Sequence, residues 1–119
     1  MSTKAYAVQS PSSVNDRVHI VTWTGLANGD DGDPIQMTGS SDRTIQFDGT
    51  FGTGGTIILE GSNDGTNYYA LTDPQGNNIS KTAGSLETVV ELTKYIRPRV
   101  SAGDGTTSLT ACLLLKLVR

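Results

Sequence analysis

The stretch DRTIQFDGTF, residues 42–51, decides the fold class because its apolar and polar side chains alternate with a period of two. One face carries the apolar side chains, which are Ile45, Phe47 and Phe51. The other face carries the polar side chains, which are Thr44, Gln46, Asp48 and Thr50. This alternation is typical of an antiparallel strand with one face on a core and the other in water. We therefore expect residues 42–51 to form a half-buried strand.

Three further segments repeat the two-residue period, and each is predicted to be a half-buried antiparallel strand. They are RVHIVTWT (17–24), TIILEG (56–61) and SLETVVEL (85–92). In SLETVVEL the side chains of Glu87 and Glu91 lie opposite an apolar set, which consists of Leu86, Val90 and Leu92. The pattern predicts that this apolar set is the buried face of its strand.

The segment TSLTACLLLKLV, residues 107–118, is apolar on both faces from Cys112 to Leu115. A strand of this kind lies at the centre of a sheet or is covered by a neighbouring subunit. Cys112 is the only cysteine of the chain, so it forms no internal disulfide, and we interpret it as a small buried hydrophobic side chain.

Turn-forming residues interrupt the chain about every ten residues, and no segment keeps a helical apolar period over three turns. The turn segments include 26–34, 49–55, 62–67, 73–77, 82–85 and 101–107. We count about eight to ten short strands. The sequence therefore predicts an all-β, single-domain antiparallel β-sandwich or jelly roll over residues 17–119.

Residues 1–16, MSTKAYAVQSPSSVND, contain only a weak alternation and are predicted to form an extended N-terminal arm. The β-prone stretch KAYAV in this arm can add to an edge strand of another molecule. Lys4, Tyr6 and Val8 are therefore candidate contacts with a partner or a second subunit. A frayed terminus and a strand of the chain's own sheet remain alternatives for this segment.

Composition excludes several classes of function. The 119 residues carry nine basic and twelve acidic side chains, a net charge of −3, and no basic cluster longer than RPR at 97–99, so we expect no nucleic-acid binding. No apolar run reaches the roughly 18 residues that a membrane-spanning helix needs, and no export signal is visible. We expect a protein that folds in a reducing cytoplasm and does not bind membranes.

No pattern of metal ligands is found. Asp30, Asp31 and Asp33 crowd one loop, but counted from Asp31 the fifth position of a calcium loop is Ile35 and the twelfth is Asp42. A calcium loop needs an oxygen ligand at its fifth position and a bidentate glutamate at its twelfth. A solvated turn is the better interpretation, and a weak calcium site remains an alternative.

Catalytic motifs are also missing. His19 is the only histidine, it lies far from Cys112 in the chain, and no motif of a serine or cysteine nucleophile is present. We predict a protein without catalytic residues, metal or cofactor, and not an enzyme.

Exposed aromatic side chains leave carbohydrate binding as an alternative function, because β-sandwich modules hold sugars on such side chains beside Asn and Asp. The available platforms are Trp23, Tyr68 and Tyr69. Since neighbouring residues of a strand face opposite sides, we expect one tyrosine to cover the core and the other to meet solvent or a partner. Trp23 and Tyr69 are the candidate exposed contacts.

Two stretches, GTIILEGSNDGTNYYALTDPQGN (55–77) and TKYIRPRVSAGDGTTSLTACLLLKL (93–117), resemble small virion proteins of tailed phages. They combine a GSNDGxN hairpin followed by an aromatic residue, an LTDPQGN turn, YIRP, and a GDGTTxLT hairpin leading into the last strand. The resemblance extends over about residues 20–119 and is strongest from residue 55 onward. Its motifs are turn motifs, and SNDG with a following aromatic residue also occurs in discoidin-like sugar-binding modules.

This resemblance to capsid decoration, or cement, proteins implies a structural and non-enzymatic role. Such proteins assemble as dimers or trimers on the outside of the phage head, where they clamp neighbouring subunits of the major capsid protein. The implied location is therefore the capsid exterior of the virion, after synthesis in the host cytoplasm. The alternative function is a carbohydrate-binding module of a phage fibre or tail.

Overall fold

The structure is a computed structural model that describes residues 2–9, 18–36 and 40–117. All regular secondary structure in these residues is β-strand. Accordingly, the described part of the chain holds no helix of the length and apolarity that crossing a membrane requires.

Twelve strands are present in the described residues, and five of them are only two residues long. They are β1 (Thr3–Lys4), β2 (Tyr6–Gln9), β3 (Val18–Leu26), β4 (Asp31–Gly32), β5 (Ile35–Gln36), β6 (Ser40–Thr50), β7 (Thr56–Ser62), β8 (Tyr69–Ala70), β9 (Ser80–Lys81), β10 (Ser85–Thr88), β11 (Tyr95–Ala102) and β12 (Ser108–Leu117). The sequence predicted eight to ten strands because two-residue strands leave no periodicity to recognise.

The strands form two sheets. The seven-stranded sheet runs in the order β1-β4-β11-β7-β8, with β5 also paired to β11 and β9 to β7. The five-stranded sheet runs in the order β10-β6-β12-β3-β2. All strand pairs are antiparallel except β1 with β4. The predicted all-β sandwich is confirmed.

The core lies where the predicted alternation places it in β6 and β12. Ile45 and Phe47 of β6 are fully buried, and Phe51, just beyond the strand, packs against the core while partly exposed. The fully buried side chains of β12 are Leu109, Ala111, Leu113 and Leu115. β12 is the central strand of its sheet, between β6 and β3, as predicted. Cys112 points to the other face and is half-buried, with its Sγ accepting a hydrogen bond from Thr22 Oγ1 at 3.8 Å.

The prediction for SLETVVEL is wrong about which face is buried. Leu86, Val90 and Leu92 are exposed, whereas the charged face turns toward the molecule. Glu87 Oε2 accepts from Lys81 Nζ at 2.7 Å, and the Glu91 carboxylate accepts from the backbone and hydroxyl of Thr72. Lys81 thus pairs with the charge of Glu87, and Thr72 supplies hydrogen bonds to Glu91, so neither carboxylate on that face lacks a partner.

Residues 2–9, the described part of the segment predicted to be an arm, pair with both sheets of their own sandwich. β1 runs parallel to β4, with Thr3 opposite Asp31, and β2 runs antiparallel to β3, with Tyr6 opposite Trp23. Residues 2–9 therefore pair with the chain's own sheets, which is one of the alternatives predicted from sequence, and do not extend freely. Residues 10–17 lie outside the described ranges, and the boundary between an arm of residues 1–16 and a sandwich of 17–119 stays a prediction.

Candidate binding surfaces

Trp23, predicted as an exposed contact, is fully buried in the core at 0% exposure, so that prediction is wrong. Its Nε1 donates a hydrogen bond to the backbone oxygen of Asp33 at 3.0 Å, which satisfies the only polar atom of the ring. The ring of Tyr6 packs edge-on against it, with centroids 5.9 Å apart. Trp23 shares the inward face of β3 with Val21, which is also fully buried.

The other predicted contacts of the N-terminal segment, Lys4, Tyr6 and Val8, differ in their exposure to solvent. Tyr6 is half-buried against the core, and Val8 is exposed. The Nζ of Lys4 lies 3.9 Å from Oδ2 of Asp30, a buried carboxylate that also accepts hydrogen bonds from the backbone nitrogens of Ser2 and Ala27. Burial alone would raise the pKa of Asp30, but these bonds and Lys4 outweigh burial and lower it. The acidic loop thus anchors residues 2–4.

The hairpin SNDGTN at residues 62–67 is organised by one carboxylate. Asp64 accepts hydrogen bonds from the backbone nitrogens of Thr66 and Asn67, both at 2.8 Å, from the amide of Asn67 at 2.9 Å and from the hydroxyl of Ser62 at 2.9 Å. These bonds, above all the one from the Asn67 backbone, hold the pKa of Asp64 far below its usual range. Gly65 takes a φ of +79°, which the tight turn requires.

The two tyrosines that follow this hairpin face opposite sides, as predicted, although neither covers the core. Tyr68 lies on the outer face of the seven-stranded sheet, where the guanidinium of Arg97 is 3.9 Å from its ring centroid. Arg97 also contacts Asp31 and Glu60, at 3.4 Å and 3.2 Å. Tyr69 is 72% exposed and remains the one candidate exposed aromatic of the two named from sequence.

Tyr69 lines a cleft of about 470 Å³, which we call the Tyr69 cleft. Its lining residues come from β7, the 62–67 hairpin, β8 and the segment before β11; they are Gly61, Ser62, Asn63, Asp64, Asn67, Tyr69, Ala70, Leu71, Glu91 and Thr93. Gly61 is opposite Tyr69 in the sheet, and an added Cβ would lie 2.6 Å from Thr93 Oγ1 and 2.8 Å from Leu71 Cδ2. Glycine is therefore needed for the close packing of the cleft wall.

Glu91 gives the cleft a second carboxylate. Burial raises the pKa of Glu91, but the hydrogen bonds from Thr72 outweigh this effect and lower it. With Asp64, two ionised carboxylates line the cleft at neutral pH. Tyr69 and its neighbouring Asn and Asp residues were predictable from sequence, but Glu91, Thr93 and Gly61 were not, because they reach the cleft only through tertiary folding.

A second exposed surface is the row Leu86, Val90 and Leu92, which we call the apolar ridge; the side chains are 63%, 57% and 61% exposed. Its backbone is bonded to β6 and to the segment that follows β8. Val89 donates to the backbone oxygen of Arg43 at 3.1 Å, and Val90 donates to that of Thr72 at 3.2 Å. Nη1 of Arg43 donates to the backbone oxygen of Glu91 at 2.7 Å. These hydrogen bonds thus hold the backbone of the ridge against the rest of the protein.

Comparisons with known proteins relate this chain to others by fold. No family model matches it, and no curated protein matches it in sequence. The crystal structure of YomS, a protein derived from the SPBc2 prophage, matches with a TM-score of 0.62 and 12% identity, over 82% of this chain and 93% of YomS. An oxalate oxidase structure matches with a TM-score of 0.52 and 12% identity, over 94% of this chain and 51% of that one. At these identities the likeness is one of fold alone.

Proposed function

We propose that this protein is a structural component of a phage virion, a cement or decoration protein that binds the outside of the head and bridges neighbouring major capsid subunits. In this proposal it acts by binding and not by catalysis, as a dimer or trimer on the capsid exterior. The observation that carries the proposal is the apolar ridge.

The ridge has the properties of a contact surface. Leu86, Val90 and Leu92 have the same parity in the sequence, and the first of them lies in β10 while the other two follow it. Burial of each such side chain stabilises a complex by about 1.5–3 kcal/mol. Single exposed apolar residues need no explanation, but three in one row on a small domain favour an interaction site.

The fixed backbone of the ridge lowers the cost of association. Hydrogen bonds to Arg43 and Thr72 already order the segment, so a partner does not need to order it on binding. In an oligomer, several ridges would engage a capsid lattice at once, and the later contacts would form at high effective concentration. Modest individual interfaces are then sufficient for stable attachment.

Two other observations support a phage role. The fold is like that of the prophage-derived YomS, and the turn motifs in 55–77 and 93–117 resemble those of small virion proteins. The net charge of −3 is compatible with a position outside the shell, away from contact with packaged DNA.

The test has two parts. Mass spectrometry of purified virions of the source phage should detect the chain in many copies per particle. Purified protein should also bind heads that lack it, and Leu92→Glu should weaken this binding by about tenfold or more, because it places a charge where apolar burial is expected.

Gln36→Glu is the matched control, since it adds the same charge at an exposed position of β5 in the other sheet. It should bind heads like the unaltered protein. Virions without the chain, or equal binding by Leu92→Glu and Gln36→Glu, would contradict the proposal.

A further inference from the structure

We propose that the Tyr69 cleft is a glycan-binding site that takes a neutral hexose or hexosamine ring. The cleft has no residue in common with the apolar ridge, although Glu91 of the cleft lies between Val90 and Leu92 in the chain, and the proposed binding does not depend on attachment to a capsid. Its volume of about 470 Å³ lies within the roughly 300–1,000 Å³ that is usual for small-molecule sites.

Tyr69 supplies the platform. A tyrosine ring that is 72% exposed at the rim of a cleft offers a flat apolar surface with no protein side chain covering most of it. A pyranose ring carries a matching apolar surface, formed by its C–H groups, while its hydroxyls point outward. Stacking on Tyr69 would bury both apolar surfaces and leave the sugar hydroxyls free for hydrogen bonds.

Two asparagines supply polar groups beside this platform. Oδ1 of Asn63 accepts a hydrogen bond from the backbone of Lys94 at 3.0 Å, and its two Nδ2 protons have no acceptor in the described ranges. Asn67 donates one proton to Asp64, and its Oδ1 and second proton have no partner among the same residues. Together the amides offer donors and an acceptor, as neighbouring sugar hydroxyls require.

The carboxylates determine which sugars fit. Asp64 and Glu91 are ionised at neutral pH, because hydrogen bonds hold the pKa of each below its ordinary value. An anionic sugar such as a sialic or uronic acid would be repelled from this cleft. A neutral or amino sugar can instead donate its hydroxyls to the carboxylate oxygens, a charge-assisted bond.

The site is organised before a ligand arrives. Asp64 fixes the 62–67 hairpin through four hydrogen-bond donors, and Glu91 is tied to Thr72 on the opposite wall. Gly61 and Leu71 are buried in the wall between them. A preformed cleft with a few placed polar groups is the usual form of a small-molecule site.

The test uses the full chain on an array of neutral, amino and acidic glycans, followed by calorimetric or NMR titration of the best neutral binder. We expect binding to at least one neutral or amino glycan. Tyr69→Ala should weaken binding by about tenfold or more, whereas Tyr69→Phe, which keeps the ring, should change it by less than about threefold.

Tyr68→Phe and Gln36→Glu, both outside the cleft, serve as matched controls and should bind like the unaltered protein. Three outcomes would overturn the proposal: no binding to any glycan at about 10 mM ligand, full binding by Tyr69→Ala, or a preference for acidic glycans. Because the array contains no capsid, failure here would leave the virion proposal standing, and failure to bind heads would leave this one standing.

Discussion

At the scale of single residues, the aromatic side chains show how the same residue type takes different roles. Trp23 is buried in the core, and its one polar atom, Nε1, donates a hydrogen bond to the protein. Tyr69 instead exposes its ring to solvent beside a cleft. Both residues were predicted to be exposed platforms. An aromatic residue in a strand can lie on either face, so its residue type alone does not tell whether it is buried. Trp23 is therefore expected to contribute to stability and Tyr69 to binding.

Replacement of Trp23 tests the first of these roles. Trp23→Ala should lower the free energy of unfolding by about 3–5 kcal/mol, since it leaves a large cavity in the core. Trp23→Phe should cost less, although it leaves the backbone oxygen of Asp33 without its donor. Urea unfolding followed by circular dichroism measures both. Tyr69→Ala is the control and should change stability by less than about 0.5 kcal/mol; an equal loss from Tyr69→Ala would contradict the assignment.

The turn carboxylates predict how stability depends on pH. Hydrogen bonds hold the pKa values of Asp64 and Asp104 well below their usual range, led by the Asn67 backbone and by the Thr106 hydroxyl respectively. The folded state therefore favours the ionised form. This stabilisation is fully present above the unfolded-state pKa of about 3.9 and is lost as the pH falls toward the folded-state values.

The double variant Asp64→Asn, Asp104→Asn should be less stable than the unaltered protein at pH 7. It should also lose less of its melting temperature between pH 5 and pH 2, since the two linked protonations are gone. Thermal unfolding over that range, followed by circular dichroism, checks both expectations. Parallel curves for the two proteins would show that these carboxylates do not stabilise the fold through their ionised forms.

At the scale of elements, β1 and β2 hold the two sheets together from one end of the chain. β1 extends the seven-stranded sheet and β2 extends the five-stranded sheet, and only Ala5 separates them. Tyr6 of β2 also covers Trp23. These strands therefore stabilise the sandwich, whatever contacts they make with another molecule.

Removal of residues 2–9 tests this role. The truncated chain should lose about 2 kcal/mol or more of stability, since the apolar contact of Tyr6 alone is of that order. The fluorescence of Trp23, the only tryptophan, should shift to longer wavelength as its ring meets water. Urea unfolding and emission spectra measure the two effects. Unchanged stability together with weakened binding to heads would instead support the free arm predicted from sequence.

The comparison of β6 with residues 85–92 shows what could be predicted from sequence and what could not. In β6 Ile45 and Phe47 alternate with polar side chains and pack on the core, so both the strand and its buried face were predictable, although the burial of Arg43 on the same side was not. In 85–92 the alternation was equally clear, but the charged face has partners outside this segment, with Lys81 bonded to Glu87 and Thr72 bonded to Glu91. A period of two tells which side chains share a face, and only tertiary contacts decide which face is inside.

The same limit applies to the Tyr69 cleft. The hairpin 62–67 and the opposite facing of Tyr68 and Tyr69 followed from local turn chemistry and strand geometry. The opposite wall, with Glu91 and Thr93, comes from a segment about 25 residues further along the chain, which no local pattern connects to the hairpin.

At the scale of the whole molecule, the two outer surfaces differ in chemistry. On the seven-stranded sheet, Arg97 and Arg99 are paired with Glu60 at 3.2 Å and 2.9 Å, which neutralises a buried carboxylate. Beside the five-stranded sheet lies the apolar ridge, with no charge on its own three side chains. This asymmetry favours partner binding on the ridge side.

Native mass measurement tests self-association directly. The chain has a mass of 12.5 kDa, and we expect a native particle of two or three chains. Leu92→Glu, which alters the proposed capsid contact, and Gln36→Glu should both leave this mass unchanged, so weaker head binding by Leu92→Glu reports on the ridge and not on loss of the oligomer. A monomer for the unaltered protein at about 100 μM would contradict the predicted oligomer.

The central position of β12 also bears on how the chain folds during synthesis. In the five-stranded sheet β12 lies between β3 and β6, so these two strands do not pair with each other. Until the ribosome has released Ser108–Leu117, both strands expose an unpaired edge and the apolar face that later forms the core. A nascent chain of this protein is therefore prone to aggregation until β12 emerges, and truncations or stalled translation before residue 108 should yield insoluble material.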